Sequence, residues 1–315
     1  MRVLAVDLGG SHAVCGIVED RSILTCEAID ADGSQGLRSL LPRIGKTLHA
    51  MLRKQGLSIQ SFEGIAAGFP GLVDSRAGRV LSTNAKYEDA PQIDLTAWSR
   101  EALGLPLRIE NDARMALLGE FYAGAAKGFT EVVMMTLGTG IGGVSMMEGK
   151  LLRGKHSQAG CLGGHIPVLF TGTRRCTCGG MGCAEAEAAG WSLPLILKEW
   201  PGAQESTLSK YDKVGFKELF EEAAAADDVA IAVRDRCLRV WCADAVALVH
   251  AYDPEILVIG GGVMKSAASI IPIIESHVQT YAWTPWGKVQ VRAAELGNNA
   301  ALLGAVPLLS EKFAA

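Results

Sequence analysis

Short apolar runs interrupted by glycine are the first regularity along the chain. Val3–Val6 is apolar, Asp7-Leu8-Gly9-Gly10-Ser11 breaks the run, and Val14–Val18 resumes it. Brief apolar runs bounded by glycine predict buried strands, so this segment reads as strand, glycine turn, strand. The pattern returns about 130 residues later over Glu131–Met147: VVMMTL, then Gly138-Thr139-Gly140-Ile141-Gly142-Gly143, then VSMM. Two such hairpins predict a duplicated α/β architecture with a cleft between its halves. The paired methionines Met134-Met135 and Met146-Met147 read as core filler.

Between the hairpins the pattern predicts a helix near Leu37–Gln55, a buried strand Gly64–Gly68 and a loop from Phe69 to Asn84. A strand follows at Leu107–Glu110, and Asn111-Asp112 opens a helix through Ala123. Beyond the second hairpin, helices are expected near Ala184–Trp200, Val214–Ala225 and Asp228–Tyr252. The last of these carries Val233, Cys237, Val240, Trp241, Ala245 and Leu248 at helical spacing, and Asp253-Pro254 ends it. Ile256–Ile259 reads as a buried strand running into Gly260-Gly261-Gly262, which opens another helix. The final helix starts near Asn299, with Pro307 expected to kink it.

A chain of 315 residues has room for two lobes of ordinary size, and its 49% hydrophobic and 20% charged content is globular. A net charge of −4 favours neither nucleic acid nor an anionic membrane. No apolar run approaches the length of a membrane span, and the opening MRVLAVDLGG is too short an apolar run for a signal peptide. No DNA-reading helical module precedes the first strand. The expectation is a cytoplasmic protein with reduced cysteines. Cys15, Cys26, Cys161, Cys237 and Cys242 read as core or local packing residues.

The remaining three cysteines are different. Cys176, Cys178 and Cys183 lie within eight residues, interleaved with Gly179, Gly180 and Gly182, and His165 precedes them. Three thiolates and an imidazole make a complete tetrahedral zinc set, and the glycines allow the tight turns that wrapping a small ion demands. Unmetallated buried thiols or a disulfide are the alternatives at this point.

Glycine turns after strands bring backbone N–H groups close to phosphate oxygens, because no side chain intervenes. Three occur, at Asp7–Ser11, Gly138–Gly143 and Gly260–Gly262. None is followed by the Lys-Ser/Thr of a Walker loop, and LGTGIGG lies in a hairpin, which argues against a dinucleotide fold. Three such turns with an acidic residue on the first point instead to ATP. Asp7 would hold Mg²⁺ through water, and Ser11 and Thr139 would donate hydroxyl hydrogen bonds to phosphate. Phosphoryl transfer to an alcohol also needs a group to take the proton, and Asp112, at the C-terminal end of a strand, fits that base. Asn111 beside it can donate to and accept from a hydroxyl. A plain helix cap is the competing reading of this pair.

Taken together these motifs resemble the ROK family of sugar kinases and sugar-responsive repressors, collinearly over almost the whole chain. The resemblance rests on Asp7-Leu8-Gly9-Gly10-Ser11, Gly68-Phe69-Pro70-Gly71-Leu72-Val73-Asp74, Glu110-Asn111-Asp112-Ala113 and Leu137–Gly143. It continues through Gly164-His165, Cys176–Glu185, Ile259–Val263 and Asn298–Ala305. It implies a two-lobed actin-like (hexokinase/RNase H-like) α/β fold with a structural zinc loop. The small lobe would be residues 1–115 plus the C-terminal helix 298–315, and the large lobe residues 116–297 with the zinc loop. The resemblance further implies ATP-dependent phosphorylation of a hexose or hexose derivative, usually at the 6-hydroxyl, with Asp112 as general base.

Asn111, His165 and Glu185 would hold ring hydroxyls, with Gly71 and Thr83 or Asn84 lining the pocket. Asp7, Gly9, Gly10, Ser11, Gly138, Thr139, Gly140, Gly142, Gly261 and Gly262 would serve ATP and Mg²⁺. His165, Cys176, Cys178 and Cys183 would hold a structural Zn²⁺, the histidine offering one ring nitrogen to the metal and the other to the sugar. A homodimer is implied by the family alone. A sugar-binding regulator is the alternative.

Two positions depart from the family pattern. Many family kinases carry glutamate three residues before the zinc histidine, whereas Leu162 stands here. Leucine accepts no hydrogen bond, so the expected substrate is a sugar altered at C1 or C2, such as an N-acyl, anhydro or deoxy sugar, unless Leu162 packs in the core. His12 follows Ser11 and reads as a surface residue beside the phosphate turn.

Overall fold

The computed structural model describes residues 1–83, 86–172 and 174–311, and the chain divides into two compact units. One comprises Met1–Gly128, Arg153–Ala159 and the stretch from Glu295 onward; the other comprises Phe129–Leu152 and Gly160–Ala294.

The first unit is built on β1 (Arg2–Leu8), β2 (His12–Glu19), β3 (Ser22–Asp30), β4 (Ile65–Phe69) and β7 (Leu107–Asn111), in the order β3-β2-β1-β4-β7. The first three strands form an antiparallel meander, while β4 and β7 run parallel to β1. A hairpin of β5 (Gly71–Asp74) and β6 (Arg79–Thr83) stands apart as its own small sheet. The helices are α1 (Leu37–Gln55), α2 (Leu95–Leu103), α3 (Asp112–Ala123) and the last helix of the chain, α9 (Ala300–Ser310).

Helix α1 buries Leu37, Leu40, Leu41, Ile44, Leu48, Met51 and Leu52, a stripe at helical spacing, in the core cluster that also holds Ala13, Cys15 and Ile17 of β2 and Leu4, Val6 and Leu8 of β1. Gly36 before it has no capping side chain, so Asp89 caps α1 from across the fold, accepting from the Leu37 and Arg38 amides at 2.6 and 2.9 Å. Helices α3 and α9 approach almost to backbone contact. A Cβ on Gly119 would stand 1.9 Å from the Ala300 carbonyl oxygen, and one on Gly304 2.0 Å from that of Met115.

The second unit repeats the plan. Its sheet has the order β10-β9-β8-β11-β12, from β8 (Val132–Leu137), β9 (Ile141–Met147), β10 (Lys150–Leu151), β11 (Ile256–Gly260) and β12 (Gln290–Ala293). Again three strands meander and two follow in parallel. The duplication read from the two glycine hairpins is therefore present as two sheets of one topology. Helices α4 (Ala184–Ala188), α5 (Leu193–Glu199), α6 (Phe216–Ala224), α7 (Asp228–Tyr252) and α8 (Ala267–Tyr281) complete the unit. Trp241 of α7, fully buried, meets Phe216 edge-on at 5.1 Å, stacks on Phe220 at 6.5 Å and donates its indole N–H to the Ala188 carbonyl.

Helices α1, α3 and α7 begin and end where the pattern placed them. Two expectations are corrected. The expected loop Phe69–Asn84 contains the β5–β6 hairpin, closed by Asp74 accepting the Ala77 amide and by Gly78 at φ +67°; Asn84 itself lies outside the described residues. The expected helix Ala184–Trp200 is broken at Ala189–Ser192, because the Gly190 and Trp191 amides bond the Gly138 and Thr139 carbonyls instead of continuing the helix. Of the cysteines read as core or local packing residues, Cys15, Cys237 and Cys242 are buried, whereas Cys26 is exposed and Cys161 half-buried. Strand β3 escaped notice because it is an edge strand exposed along most of its length.

Candidate active site

The parallel pairing of β1, β4 and β7 brings their C-terminal ends to one edge of the sheet, where ligand sites of α/β folds gather. Asp7 lies opposite Gly68, and Phe69 opposite Asn111. A Cβ on Gly68 would stand 3.2 Å from Asp7 Oδ1 and 3.5 Å from the Asp112 Cα, so glycine there leaves the two aspartates facing each other. Burial and then the Asp112 charge push the Asp7 carboxyl up to about 7. Burial pushes Asp112 up to about 6, against the opposing pull of the Ala113 amide, the Lys86 charge and the Asn111 amide.

Asn111 caps α3: its Oδ1 accepts the Arg114 amide at 3.1 Å. Its Nδ2 donates to Asp112 Oδ1 at 2.9 Å and to the Gly71 carbonyl at 3.2 Å. The capping reading of Asn111 is thus realised, and both of its amide hydrogens are engaged by protein. Asp112 Oδ1 also receives the Ala113 amide at 2.8 Å, whereas its Oδ2 has no partner among the described residues. One oxygen is fixed and the other is open. Beneath them Glu110, with no exposed surface, accepts from Ser75 Oγ, Arg153 Nε and the Asn111 amide. Arg114, equally buried, reaches the Ser157 and Ala159 carbonyls.

The turn after β1 is closed by the Gly9 amide donating to the His12 carbonyl. The Gly9 and Gly10 carbonyls are held by Tyr87 Oη at 2.6 Å and the Gly33 amide at 3.2 Å. The amides of Gly10 and Ser11 have no partner among the described residues, which suits an oxyanion. Ser11 is exposed, and its Oγ lies 3.1 Å from Nδ1 of His12, an exposed residue as expected.

In the second unit the turn after β8 is closed by the Gly138 amide on the Gly140 carbonyl, and the Thr139 and Gly140 amides are unpartnered among the described residues. Gly261, at φ +94°, and Gly262 form an exposed turn after β11. A cavity of about 1010 Å³ is bordered by both turns, at Gly138, Thr139 and Gly262, and extends past Phe216, Lys217 and Lys265. Its volume is at the upper end of cofactor sites.

His165, Cys176, Cys178 and Cys183 converge, their donor atoms all within 4.8 Å of one another. The Cys178 and Cys183 sulfurs are 3.7 Å apart, and Cys176 Sγ is 3.4 Å from His165 Nδ1. A tetrahedral zinc places sulfurs about 3.8 Å apart, and sulfur about 3.6 Å from an imidazole nitrogen. The spacing fits a bound ion and is far beyond a disulfide bond. Gly180 sits close to the cluster, since a Cβ there would stand 3.2 Å from Cys183 Sγ and 3.4 Å from Cys178 Sγ. Glu185 is tied to the protein: Oε2 accepts the Ile141 amide, and Oε1 accepts from Thr177 Oγ1 and Trp191 Nε1. Gly140 makes room for it, a Cβ there standing 2.6 Å from Oε2. Gly142 lies within β9, opposite Thr136.

Within the first unit, then, Asp7, Gly71, Asn111 and Asp112 come together, with Thr83 paired to Gly71 across the hairpin. Within the second, the glycine turns border one cavity and the histidine joins the cysteines. Leu162 does not pack in the core; it is 44% exposed. Lys86, Arg114 and Arg153 were missed. The buried Glu110 was the only signal for the arginines, since a buried carboxylate demands a counter-charge. Nothing in the sequence pointed to Lys86.

The ROK family model matches residues 3–312. The glucokinase of Thermotoga maritima is 30% identical over 99% of this chain and 98% of its own length. Among solved structures, the ROK hexokinase of Thermus thermophilus has a TM-score of 0.81 at 31% identity, covering 98% of this chain and 97% of that one. A ROK family glucokinase of Streptomyces griseus, solved with glucose and AMPPNP, has a TM-score of 0.77 at 29% identity, covering 98% and 99%. Among the described residues no helix is long and apolar enough to cross a membrane.

Proposed function

The chain belongs to the ROK family, and we propose that this sugar kinase transfers the γ-phosphoryl group of ATP to the 6-hydroxyl of a hexose or hexose derivative. The observation that carries the reading is Asp112: one carboxylate oxygen fixed by the Ala113 and Asn111 N–H groups, the other open. A base must be held still and yet offer a free lone pair. The hydroxyl oxygen attacks phosphorus in line, the bond to the ADP oxygen breaks, and the proton passes to Asp112 Oδ2. The amides of Gly10, Ser11, Thr139 and Gly140 bind phosphate oxygens, and the cavity beside Gly138 and Gly262 takes the nucleoside. Asp7 holds Mg²⁺ through water; the ion, when bound, neutralises phosphate charge.

His165, Cys176, Cys178 and Cys183 hold a structural Zn²⁺ through Nδ1 and three thiolates, which leaves His165 Nε2 for a sugar hydroxyl. Glu185, Gly71 and Thr83 complete the proposed sugar contacts. A small lobe of 1–115 plus 298–315, a homodimer and a cytoplasmic location belong to the same proposal.

A second reading of the substrate is favoured by Leu162. Its side chain is exposed rather than packed, so it is free to face a ligand. An apolar contact there would leave a hydroxyl unpaired, at a cost of about 1–3 kcal/mol. The substrate would then be a hexose altered at C1 or C2.

The test is ADP release from ATP and Mg²⁺ across hexoses, N-acetylhexosamines, deoxy and anhydro sugars, with Asp112→Asn as control. Turnover by the parent, and loss of about 10²–10⁴-fold in the variant with sugar binding kept, is the expected result. Turnover on plain glucose that Leu162→Glu harms would remove the second reading. Sugar binding without turnover would replace the kinase by a regulator.

A further inference from the structure

Lys86 follows the β5–β6 hairpin and lies directly on the first glycine turn. A Cβ on Gly10 would stand 2.7 Å from Lys86 Cε and 2.8 Å from its Nζ, and one on Gly33 would stand 3.1 Å from Lys86 Cβ. The lysine stem therefore runs in a groove that two glycines leave open. Its neighbour pins the segment: Tyr87 Oη donates to the Gly9 carbonyl at 2.6 Å, and the Tyr87 amide to the Gly33 carbonyl at 2.7 Å. Tyr87 is fully buried and lies 5.9 Å from the Phe69 ring, so the anchor is packed as well as bonded.

The ammonium makes no hydrogen bond and no ion pair among the described residues. Its charge nevertheless reaches Asp112, which it helps to keep ionised. A cation is thus held over a turn with two unpartnered amides, within electrostatic reach of Asp112, and no ion pair neutralises it among the described residues. Such a cation is arranged for an anion.

Resting on the reading of this turn as a phosphate site, we propose that Lys86 is a catalytic residue whose ammonium donates to an oxygen of the phosphoryl group in transit. The sugar oxygen–phosphorus bond forms, the bond from phosphorus to the ADP oxygen breaks, the hydroxyl proton goes to Asp112, and Lys86 keeps its own protons. A preorganised cation at that position stabilises charge as the group moves, and it needs no reorganisation to do so. The contact exists only while a terminal phosphoryl group is present, so ADP gains nothing from it.

The experiment compares Lys86→Met, which keeps the stem and loses the charge, with the parent and Asp112→Asn. Lys86→Met should lower kcat by about 10²–10³-fold while the sugar KM moves by less than about threefold. It should also weaken binding of β,γ-imido ATP by about tenfold or more, and leave ADP binding within about twofold. A lysine that merely fills space would move both nucleotides alike, and that result overturns the proposal. So does a kcat within about threefold of the parent when Asp112→Asn is inactive, which leaves the kinase reading intact. Absence of sugar-dependent ADP release by the parent overturns the proposal together with the reading beneath it.

Discussion

Arg153 Nε donates to Glu110 Oε2 at 2.7 Å, at a site where Glu110 has no exposed surface. The two terminal nitrogens of Arg153 grip Glu311 as a fork, each at 2.7 Å. Glu110 immediately precedes Asn111-Asp112, so this pair anchors the junction of β7 and α3 from below. Removing Arg153 leaves the buried carboxylate its bonds from Ser75 and the Asn111 amide but, among the described residues, only Arg114, 3.5 Å away, as counter-charge. Arg153→Met should therefore cost about 3–5 kcal/mol of unfolding free energy, measured by urea titration. A change under about 0.5 kcal/mol, the size of an ordinary surface substitution, would show that the pair does not anchor the junction.

Gly304→Ala sets two effects against each other. Helix propensity favours alanine by about 1 kcal/mol. The added Cβ, however, would meet the Met115 carbonyl oxygen at 2.0 Å, and backbone cannot swing aside as a side chain can. Overpacking costs about 1–3 kcal/mol, so the net effect should be destabilising. A melting temperature equal to or above the parent's would contradict the close approach of α3 and α9.

Metal in the His165 cluster should be stoichiometric and structural. Elemental analysis of the purified protein should find about one zinc per chain. Cys178→Ser should lose it, with a fall in melting temperature, because the binding free energy is part of the folding free energy. A metal-free parent of full stability would leave the cluster as four packed side chains.

The acid limb of activity should report Asp112. Its carboxyl is pushed up to about 6 by burial, and only the ionised form can take the hydroxyl proton. The kcat/KM for sugar should fall about tenfold per pH unit on the acid side. An activity flat down to pH of about 4, the ordinary carboxylate value, would remove Asp112 as base.

Asp244 of α7 gives a stability prediction of definite sign. Both its oxygens are buried without a partner among the described residues, and burial alone pushes its carboxyl from 3.8 up to about 8. The folded protein thus holds a proton that the unfolded chain has already lost. The folded state is favoured most below pH of about 4, and this contribution disappears as pH rises towards about 8. Asp7 and Asp112, also raised, slope the same way. Asp244→Asn should flatten part of the decline, so its stability relative to the parent should rise between pH of about 5 and about 9. Parallel urea midpoints of the two proteins across that range would refute it.

How much of this was legible beforehand follows from the range of each cause. Helices α1, α3 and α7 could be bounded because apolar spacing, the Asn111 and Asp227 caps and the Asp253-Pro254 stop are local. The glycine turns and the duplicated sheets could be read for the same reason. The His165–cysteine cluster was visible because its four side chains are close in sequence and their chemistry is distinctive. The break at Gly190 was not legible, since it exists to bond the carbonyls of a turn some fifty residues earlier. Nor were the partners of the Asn111 amide legible, because Gly71 comes to it from a hairpin some forty residues earlier.

By itself, the sequence determined which residues make the turns, the candidate base and the His165–cysteine cluster, through periodicity and residue chemistry that act over a few positions. Only the tertiary structure decided that Asp7 faces Asp112 across Gly68, that Glu110 is neutralised from Arg153, and that Lys86 lies on Gly10. Those relationships depend on the register of parallel strands and on the path of one hairpin. Contacts between distant segments leave no periodic mark in the chain, and burial, the quantity that sets their charges, exists only once the segments have met.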